Sequence, residues 1–234
     1  SLFMLRKADA IFTPTREIRK YLLARGFSEN KLFETSFAIE NDLIVKAKPV
    51  ENIRIDALFV GRINETKGIY DMLRVLKIIV DKCPEFQFAI IGEGDKNTKK
   101  KFLSVIRSQD LENNVLFLGY KTGQEKYDLI KSAKCFWFLS VSKSESFGMA
   151  LLEAVCSGIP AFVYDLPQFA WLYPNGEVDI SPKGDYKIVA EKVIRLFEKG
   201  DFTNEEGKKL LGKYSWDKIA EIEYGAINKL LRNE

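Results

Sequence analysis

The chain has 234 residues, 46% hydrophobic and 29% charged, enough to build a sizeable core beneath a well-solvated surface. With 36 Lys and Arg against 33 Asp and Glu, the net charge of +3 is too small an excess to argue for a nucleic-acid partner. Histidine is absent, which removes the commonest general base and the commonest zinc ligand from any chemistry confined to this chain.

In chain order, an apolar stretch at 8–13 precedes a helix with Thr15 as candidate N-cap and Gly26 as candidate stop. Residues 31–37 could form another strand, and 46–54, with Pro49 and several charges, reads as a connector. Apolar runs then follow at 57–60, 86–91, 115–118, 135–139 and 160–164, each nearly continuous, as in a parallel strand buried on both faces. Helical patterns fill the intervals at 68–82, 99–108, 124–133 and 149–157. In the first of these, Ile69, Met72, Leu73, Leu76, Ile79 and Val80 share one stripe. Strand and helix in alternation predict βαβ units with right-handed crossovers, hence a doubly wound α/β domain on a parallel sheet. Segments 186–198 and 215–231 are helical by pattern, with Ile188, Val189, Val193, Ile194 and Phe197 expected to face inward in the first. There is no internal repeat and no low-complexity segment.

The three cysteines, Cys83, Cys135 and Cys156, match no zinc or CxxC spacing. Cys135 and Cys156 lie among apolar residues, where a thiol acts as a small hydrophobe, and the scatter of all three suggests a reducing compartment. No apolar run approaches the length of a membrane span and no signal peptide is visible, so the expected location is cytoplasmic. The basic cluster Lys99, Lys100 and Lys101 could meet anionic lipid at the inner face of a membrane, with a solvated helix face as the preferred reading.

The stretch from Ser142 to Ala154 carries the most chemistry. It leaves a buried strand and enters a helix expected to begin near Phe147 or Gly148, at the carboxyl edge of the sheet. Such a helix start presents free backbone N–H groups and a positive dipole end, where phosphate binds well. Gly148 leaves room for a ligand to approach the backbone. Glu145 lies just before the helix and Glu153 within it, seven residues between them. One carboxylate can then reach a sugar at the mouth of the crevice and the other a ribose. The bland alternative makes Glu145 a cap and Glu153 a solvated helix residue.

A second segment, from Phe59 to Gly68, ends a strand at Gly61 and places Arg62 and Lys67 in the following loop. Arg62 offers a planar fork for phosphate oxygens and Lys67 a mobile point charge, which together could neutralise a departing diphosphate without a metal. Taken alone, both read more readily as exposed surface cations. Gly92 and Gly94 end another strand, but Asn97 stands where a dinucleotide fingerprint needs its third glycine, and no Walker lysine follows.

The run from Glu145, Ser146, Phe147 and Gly148 through Leu152, Glu153 and Ala154 to Ser157, Gly158, Ile159 and Pro160 resembles the signature of the retaining glycosyltransferases usually called family 4, or group 1. The resemblance covers almost the whole chain. It implies the C-terminal, Rossmann-like half of a GT-B fold and metal-independent transfer of a hexosyl group from a nucleoside-diphosphate sugar, with no cofactor. In this family the Arg and Lys matched by Arg62 and Lys67 grip the donor diphosphate, helped by amides near Gly148 and Met149. Glu145 would orient the sugar, and Glu153 would hold the ribose hydroxyls. Gly61, Gly92 and Gly94, with Ser146 and Phe147, would border the donor. The strand before Tyr120 resembles the base-binding strand, the backbone at Tyr120 and Lys121 meeting the base edge. Tyr120 itself either stacks on the base or simply packs.

By the same resemblance, residues 1–45 are the tail of an N-terminal acceptor domain plus linker, 46–213 the donor domain, and 214–234 a helix that packs back on the acceptor domain. The chain is thus expected to be a fragment that binds donor without transferring its sugar. The acceptor would be a glycan or a lipid-linked molecule. Departures from the family are the stretch from Ser36 to Glu40, where an Asn-Gly turn is usual, and the acidic residue facing the acceptor cleft, for which Asp165, Gln168 and Glu177 all qualify. The rival functions are a nucleotide-sugar 2-epimerase, disfavoured by the lack of histidine, and a noncatalytic nucleotide-sugar-binding module.

Overall fold

The computed structural model describes residues 2–142, 145 and 147–232. Its elements in chain order are α1 (Leu2–Leu5), β1 (Ile11–Thr13), α2 (Arg16–Leu23), β2 (Leu32–Glu34), α3 (Asn41–Lys46), β3 (Ile55–Val60), α4 (Ile69–Val80), β4 (Phe88–Ile91), α5 (Lys96–Ser108) and β5 (Val115–Gly119). There follow α6 (Gly123–Ser132), β6 (Ala133–Phe138), α7 (Met149–Cys156), β7 (Ala161–Tyr164), α8 (Phe169–Leu172), β8 (Asp179–Ser181), α9 (Tyr186–Lys199), α10 (Glu205–Lys209) and α11 (Trp216–Leu231). The chain divides into two compact units, Ser1–Asn41 with Leu210–Glu234, and Asp42–Lys209.

The larger unit is built on six parallel strands in the order β5-β4-β3-β6-β7-β8. Its first strand lies in the middle. The chain winds from β3 to one edge, returns across it to β6, and winds to the other edge. This is the doubly wound, Rossmann-like sheet that the alternation of strands and helices predicts. The winding reverses between β3 and β6, where Leu58 lies beside Phe136, and ligands in such sheets bind outside the strand carboxyl ends at that reversal.

Alternation along the inner strands β4, β3, β6 and β7 sorts the side chains to two covered faces, while the edge strand β5, expected to be buried on both faces, is half-buried throughout. One face joins Phe59, Phe88, Ile90, Cys135, Trp137 and Phe162 to Met72, Leu73 and Leu76 of α4, Phe102 of α5 and Val189 and Val193 of α9. Trp137 stacks on Phe86 and Phe88, with ring centroids 6.0 and 4.8 Å apart. The other face buries Leu58, Ala89, Phe136 and Val163, with α7 lying against β6 and β7. Each large apolar side chain buried in this way contributes about 1.5–3 kcal/mol. The stripe of α4 is buried as expected except for Val80, and Val75 joins it. In α9, Val189 and Val193 are buried, Ile194 and Phe197 pack partly, and Ile188 is half-exposed.

Several elements have no counterpart in the periodicity. Strand β8 is a three-residue edge strand with Asp179 exposed and only Ser181 buried, so it lacks the apolar run of its neighbours. Helix α10 is a short turn whose Gly207 donates to the Asn204 side chain and would meet the Val155 carbonyl at 2.5 Å if it carried a β-carbon. Lys99, Lys100 and Lys101 form the exposed face of α5, opposite the buried Phe102 and Ile106. Among the described residues, no helix is long and apolar enough to cross a membrane. Cys135 and Cys156 are buried free thiols, and burial pushes the Cys156 thiol up to about 12.

In the smaller unit, β1 and β2 pair in parallel over a core of Ile11, Leu22, Phe27 and Leu32. Thr15 caps α2, its hydroxyl oxygen accepting from the Ile18 amide at 3.2 Å, and Gly26 turns the chain at φ 75° after the helix ends. Thr15→Ala should cost about 1 kcal/mol. The check is a urea titration, in which the midpoint falls without a change of slope. An unchanged midpoint would show that the cap adds nothing.

Candidate active site

The described candidate residues stand at the carboxyl ends of β3, β4 and β5, in the stretch between β6 and α7, and within α7, and they form two clusters, one around Glu145 and one around Glu153. The loops after β3, β4 and β5 are laced together. The Gly61 amide donates to Ile91 O at 2.9 Å, and the Gly92 amide to Gly119 O at 2.8 Å. Gly92 has φ 138°, and a β-carbon on it would lie 2.0 Å from the Gly61 carbonyl oxygen, so only glycine admits this contact. Gly94 is similarly tight, its built β-carbon 2.5 Å from Ile63 O.

Beyond Gly61, Asn64 caps a 3-10 turn over Glu65–Lys67, its side-chain oxygen accepting from the Thr66 amide at 2.9 Å. The turn carries Lys67 over the end of β6. Lys67 Nζ lies 2.6 Å from Glu145 Oε2, with the two side chains 24% and 10% exposed. Ser140, just past β6, donates to the same Oε2 at 3.0 Å, and Gln168 Nε2 donates to the Glu145 carbonyl at 2.7 Å. Phe138 lies under the lysine, its ring centroid 5.6 Å from Nζ. Glu145 is therefore fixed from three directions. Arg62, in the loop between Gly61 and the turn, is exposed and has no ion pair among the described residues.

Helix α7 begins at Met149, with Gly148 in the left-handed conformation as N-cap and no side-chain cap. Its first bond into the cap is Leu152 N to Gly148 O at 3.0 Å. The amides of the first turn thus have no intrahelical partner, and with the helix dipole they favour an anion. Phe147 is buried beside them. Ser146 lies outside the described residues.

Among the described residues no side chain caps α7 at Gly148, and Glu153, its side chain 13% exposed, is not a solvated residue on the helix. Lys126 Nζ reaches Glu153 Oε1 and Oε2 at 2.8 and 2.9 Å, and Tyr127 donates its hydroxyl to Oε1 at 2.9 Å. Tyr120 is 71% exposed, which leaves its ring open to stacking and sets aside simple packing. Lys121 pairs with Glu125 at the start of α6.

Of the three residues left open for the acceptor side, Gln168 is the one that touches Glu145. Asp165 is exposed beyond β7, and Glu177 lies buried before β8, bound by the Asn175 amide at 2.8 Å. Glu177 therefore belongs to the opposite edge of the sheet. A separate cleft of about 390 Å³ opens there, lined in part by Glu177, Asp179, Lys192, Arg195 and Asn204. Within it Lys192 pairs with Asp179 at 2.5 Å.

Ser140, Lys126 and Tyr127 were not among the sequence candidates. Ser140 had only its place at a strand end to mark it. Lys126 and Tyr127 had no signal at all, since they meet Glu153 across 27 and 26 positions of chain.

Residues 42–210 match the protein family described as Glycosyl transferases group 1. Over 171 residues the chain is 29% identical to phosphatidyl-myo-inositol mannosyltransferase of Mycobacterium leprae, covering 70% of this chain and 43% of the relative. It is 27% identical to poly(glycerol-phosphate) alpha-glucosyltransferase of Bacillus subtilis over 67% of this chain and 22% of that protein. The chain thus spans less than half the length of either relative. Among solved structures, Anabaena Alr3699/HepE in complex with UDP and glucose superposes with a TM-score of 0.78 at 15% identity, over 95% of this chain and 63% of that one. Sucrose-phosphate synthase from Thermosynechococcus elongatus gives a TM-score of 0.80 at 19% identity, over 99% and 61%.

Proposed function

Since the chain belongs to the glycosyl transferases of group 1, we propose that it is the donor-binding part of a retaining, metal-independent hexosyltransferase of family 4. The observation that carries this reading is the meeting of Lys67 and Glu145 at 2.6 Å, beside the uncapped start of α7. A cation, a fixed carboxylate and free helix amides at one sheet edge suit a sugar diphosphate, whose charge lies on one side of the reacting carbon and whose hydroxyls lie on the other.

In this reading Lys67, Arg62 and the amides of Gly148 and Met149 hold the diphosphate and stabilise the charge that develops as it leaves. Glu145 accepts sugar hydroxyls and stabilises positive charge at the anomeric carbon. Glu153 faces the ribose, and the Tyr120–Lys121 loop meets the base, with Gly61, Gly92 and Gly94 letting the laced loops approach the ligand. The bond from the anomeric carbon to the diphosphate oxygen breaks, and a bond to the acceptor oxygen forms on the same face. The acceptor proton passes to the departing diphosphate, so no protein nucleophile is used.

Residues 46–213 supply the donor side. The acceptor, a glycan or a lipid-linked molecule, would meet a domain in the part of the relatives' length that this chain does not span. Residues 1–45 and 214–234 would belong with that side.

The test is calorimetric titration of the chain with UDP, GDP and ADP in the presence of EDTA. One nucleotide should bind, and its sugar conjugate at least as well. Failure of all three to bind, or binding only after a divalent cation is restored, would overturn the reading.

A further inference from the structure

Glu153 has more partners than a carboxylate on a helix face requires. A carboxylate offers about four lone-pair positions, two on each oxygen. Lys126 Nζ, 2.8 Å from Oε1 and 2.9 Å from Oε2, lies across the two inner positions. The Tyr127 hydroxyl, 2.9 Å from Oε1, takes a third. One position on Oε2 remains.

The two donors are held in place. They are neighbours on α6, Tyr127 is buried, and the Lys126 ammonium lies 4.4 Å from the centroid of the Tyr127 ring. The Lys126 and Glu153 side chains are 18% and 13% exposed, so the carboxylate is open to a ligand on a small face only. Helix α6 also follows directly from the loop of Tyr120 and Lys121. It therefore ties Glu153 to the segment proposed to meet the base.

We propose that Lys126 and Tyr127 are specificity-determining positioning residues that limit Glu153 to a single ribose hydroxyl of the bound nucleotide. This rests on the reading of Glu153 as the carboxylate that faces the ribose. An unencumbered carboxylate takes two vicinal hydroxyls on its inner lone pairs. With an ammonium across those positions, the diol cannot use both, and the second hydroxyl must be satisfied elsewhere.

The experiment titrates the chain with UDP, 2′-deoxy-UDP and 3′-deoxy-UDP, or with the matching GDP or ADP series if that nucleotide is the one that binds. A hydrogen bond to a charged group should make the loss of one hydroxyl cost about tenfold in affinity, and the loss of the other less than about twofold. In Lys126→Met both deoxy analogues should weaken by about tenfold, because the inner lone pairs become free. Lys126→Arg should restore the one-sided pattern, since a guanidinium spans the same two oxygens.

Equal losses on both analogues in the unmodified chain would overturn the inference while leaving Glu153 at the ribose. A one-sided pattern that persists in Lys126→Met, with only the unfolding midpoint lowered, would make the cluster merely structural and also overturn it. If neither analogue weakens, or if Glu153→Gln binds UDP as tightly as before, the reading of Glu153 itself falls and the inference with it.

Discussion

Lys67→Ala is expected to weaken nucleoside-diphosphate binding about a hundredfold, the upper end of what one charge-assisted contact contributes. Two effects add in this variant. The ammonium proposed to meet the diphosphate is lost, and Glu145, whose side chain is only 10% exposed, is left without its cation beside the proposed diphosphate site. The double variant Lys67→Ala/Glu145→Gln removes that second effect, and should recover about tenfold of the loss. Glu145→Gln alone frees Lys67 from its partner, so UDP, which carries no sugar, should bind at least as tightly as before. Such non-additivity is the mark of two residues in direct contact. Calorimetry on the four proteins supplies the cycle, and equal affinity in Lys67→Ala and the parent would remove Lys67 from the site.

The second large effect concerns the backbone that delivers Lys67. Gly68 has φ 74°, and a β-carbon on it would lie 1.8 Å from the Leu139 carbonyl oxygen and 2.7 Å from its carbon. The obstacle is the backbone of the chain leaving β6, so no rotamer change relieves it. Gly68→Ala must either unwind the turn at Glu65–Lys67 or push that segment away. The expected cost exceeds about 4 kcal/mol, a fall in the unfolding midpoint of about 10 °C or more. Gly26→Ala is the control. Gly26 has φ 75° but nothing within 4 Å of a built β-carbon, so only the left-handed backbone is penalised, by about 1–2 kcal/mol. Thermal unfolding followed by circular dichroism compares the two. Equal shifts would show that the contact with Leu139 is not tight.

The central sheet was legible because β3, β4, β6 and β7 are covered on both faces, and so read as nearly continuous apolar runs, interrupted by Asp56 in β3 and Lys134 in β6. Strand β8 was not, since an edge strand of Asp179, Ile180 and Ser181 buries too little to leave a pattern. The order of the strands could not be read locally either. The reversal that sets β3 beside β6 is a matter of which helix covers which face.

The candidate site divides in the same way. Glu145, Lys67 and the glycines stand at strand ends, where sequence position and residue type together carry the signal. The partners that fix Glu145 and Glu153 carry less signal: Ser140 is a common residue at a strand end, and Gln168, Lys126 and Tyr127 reach them across 23 to 27 positions of chain. Cys135 and Cys156 were readable as inert from their apolar surroundings, since burial favours the neutral thiol.

The most direct test of the account is a crystal structure of the chain with the nucleoside diphosphate that binds it. The diphosphate is expected against the first-turn amides of α7, with a phosphate oxygen about 3 Å from Lys67 Nζ, and Arg62 closing over it. A diphosphate lodged instead at the opposite edge of the sheet, among Lys192, Arg195 and Asn204, would contradict the account.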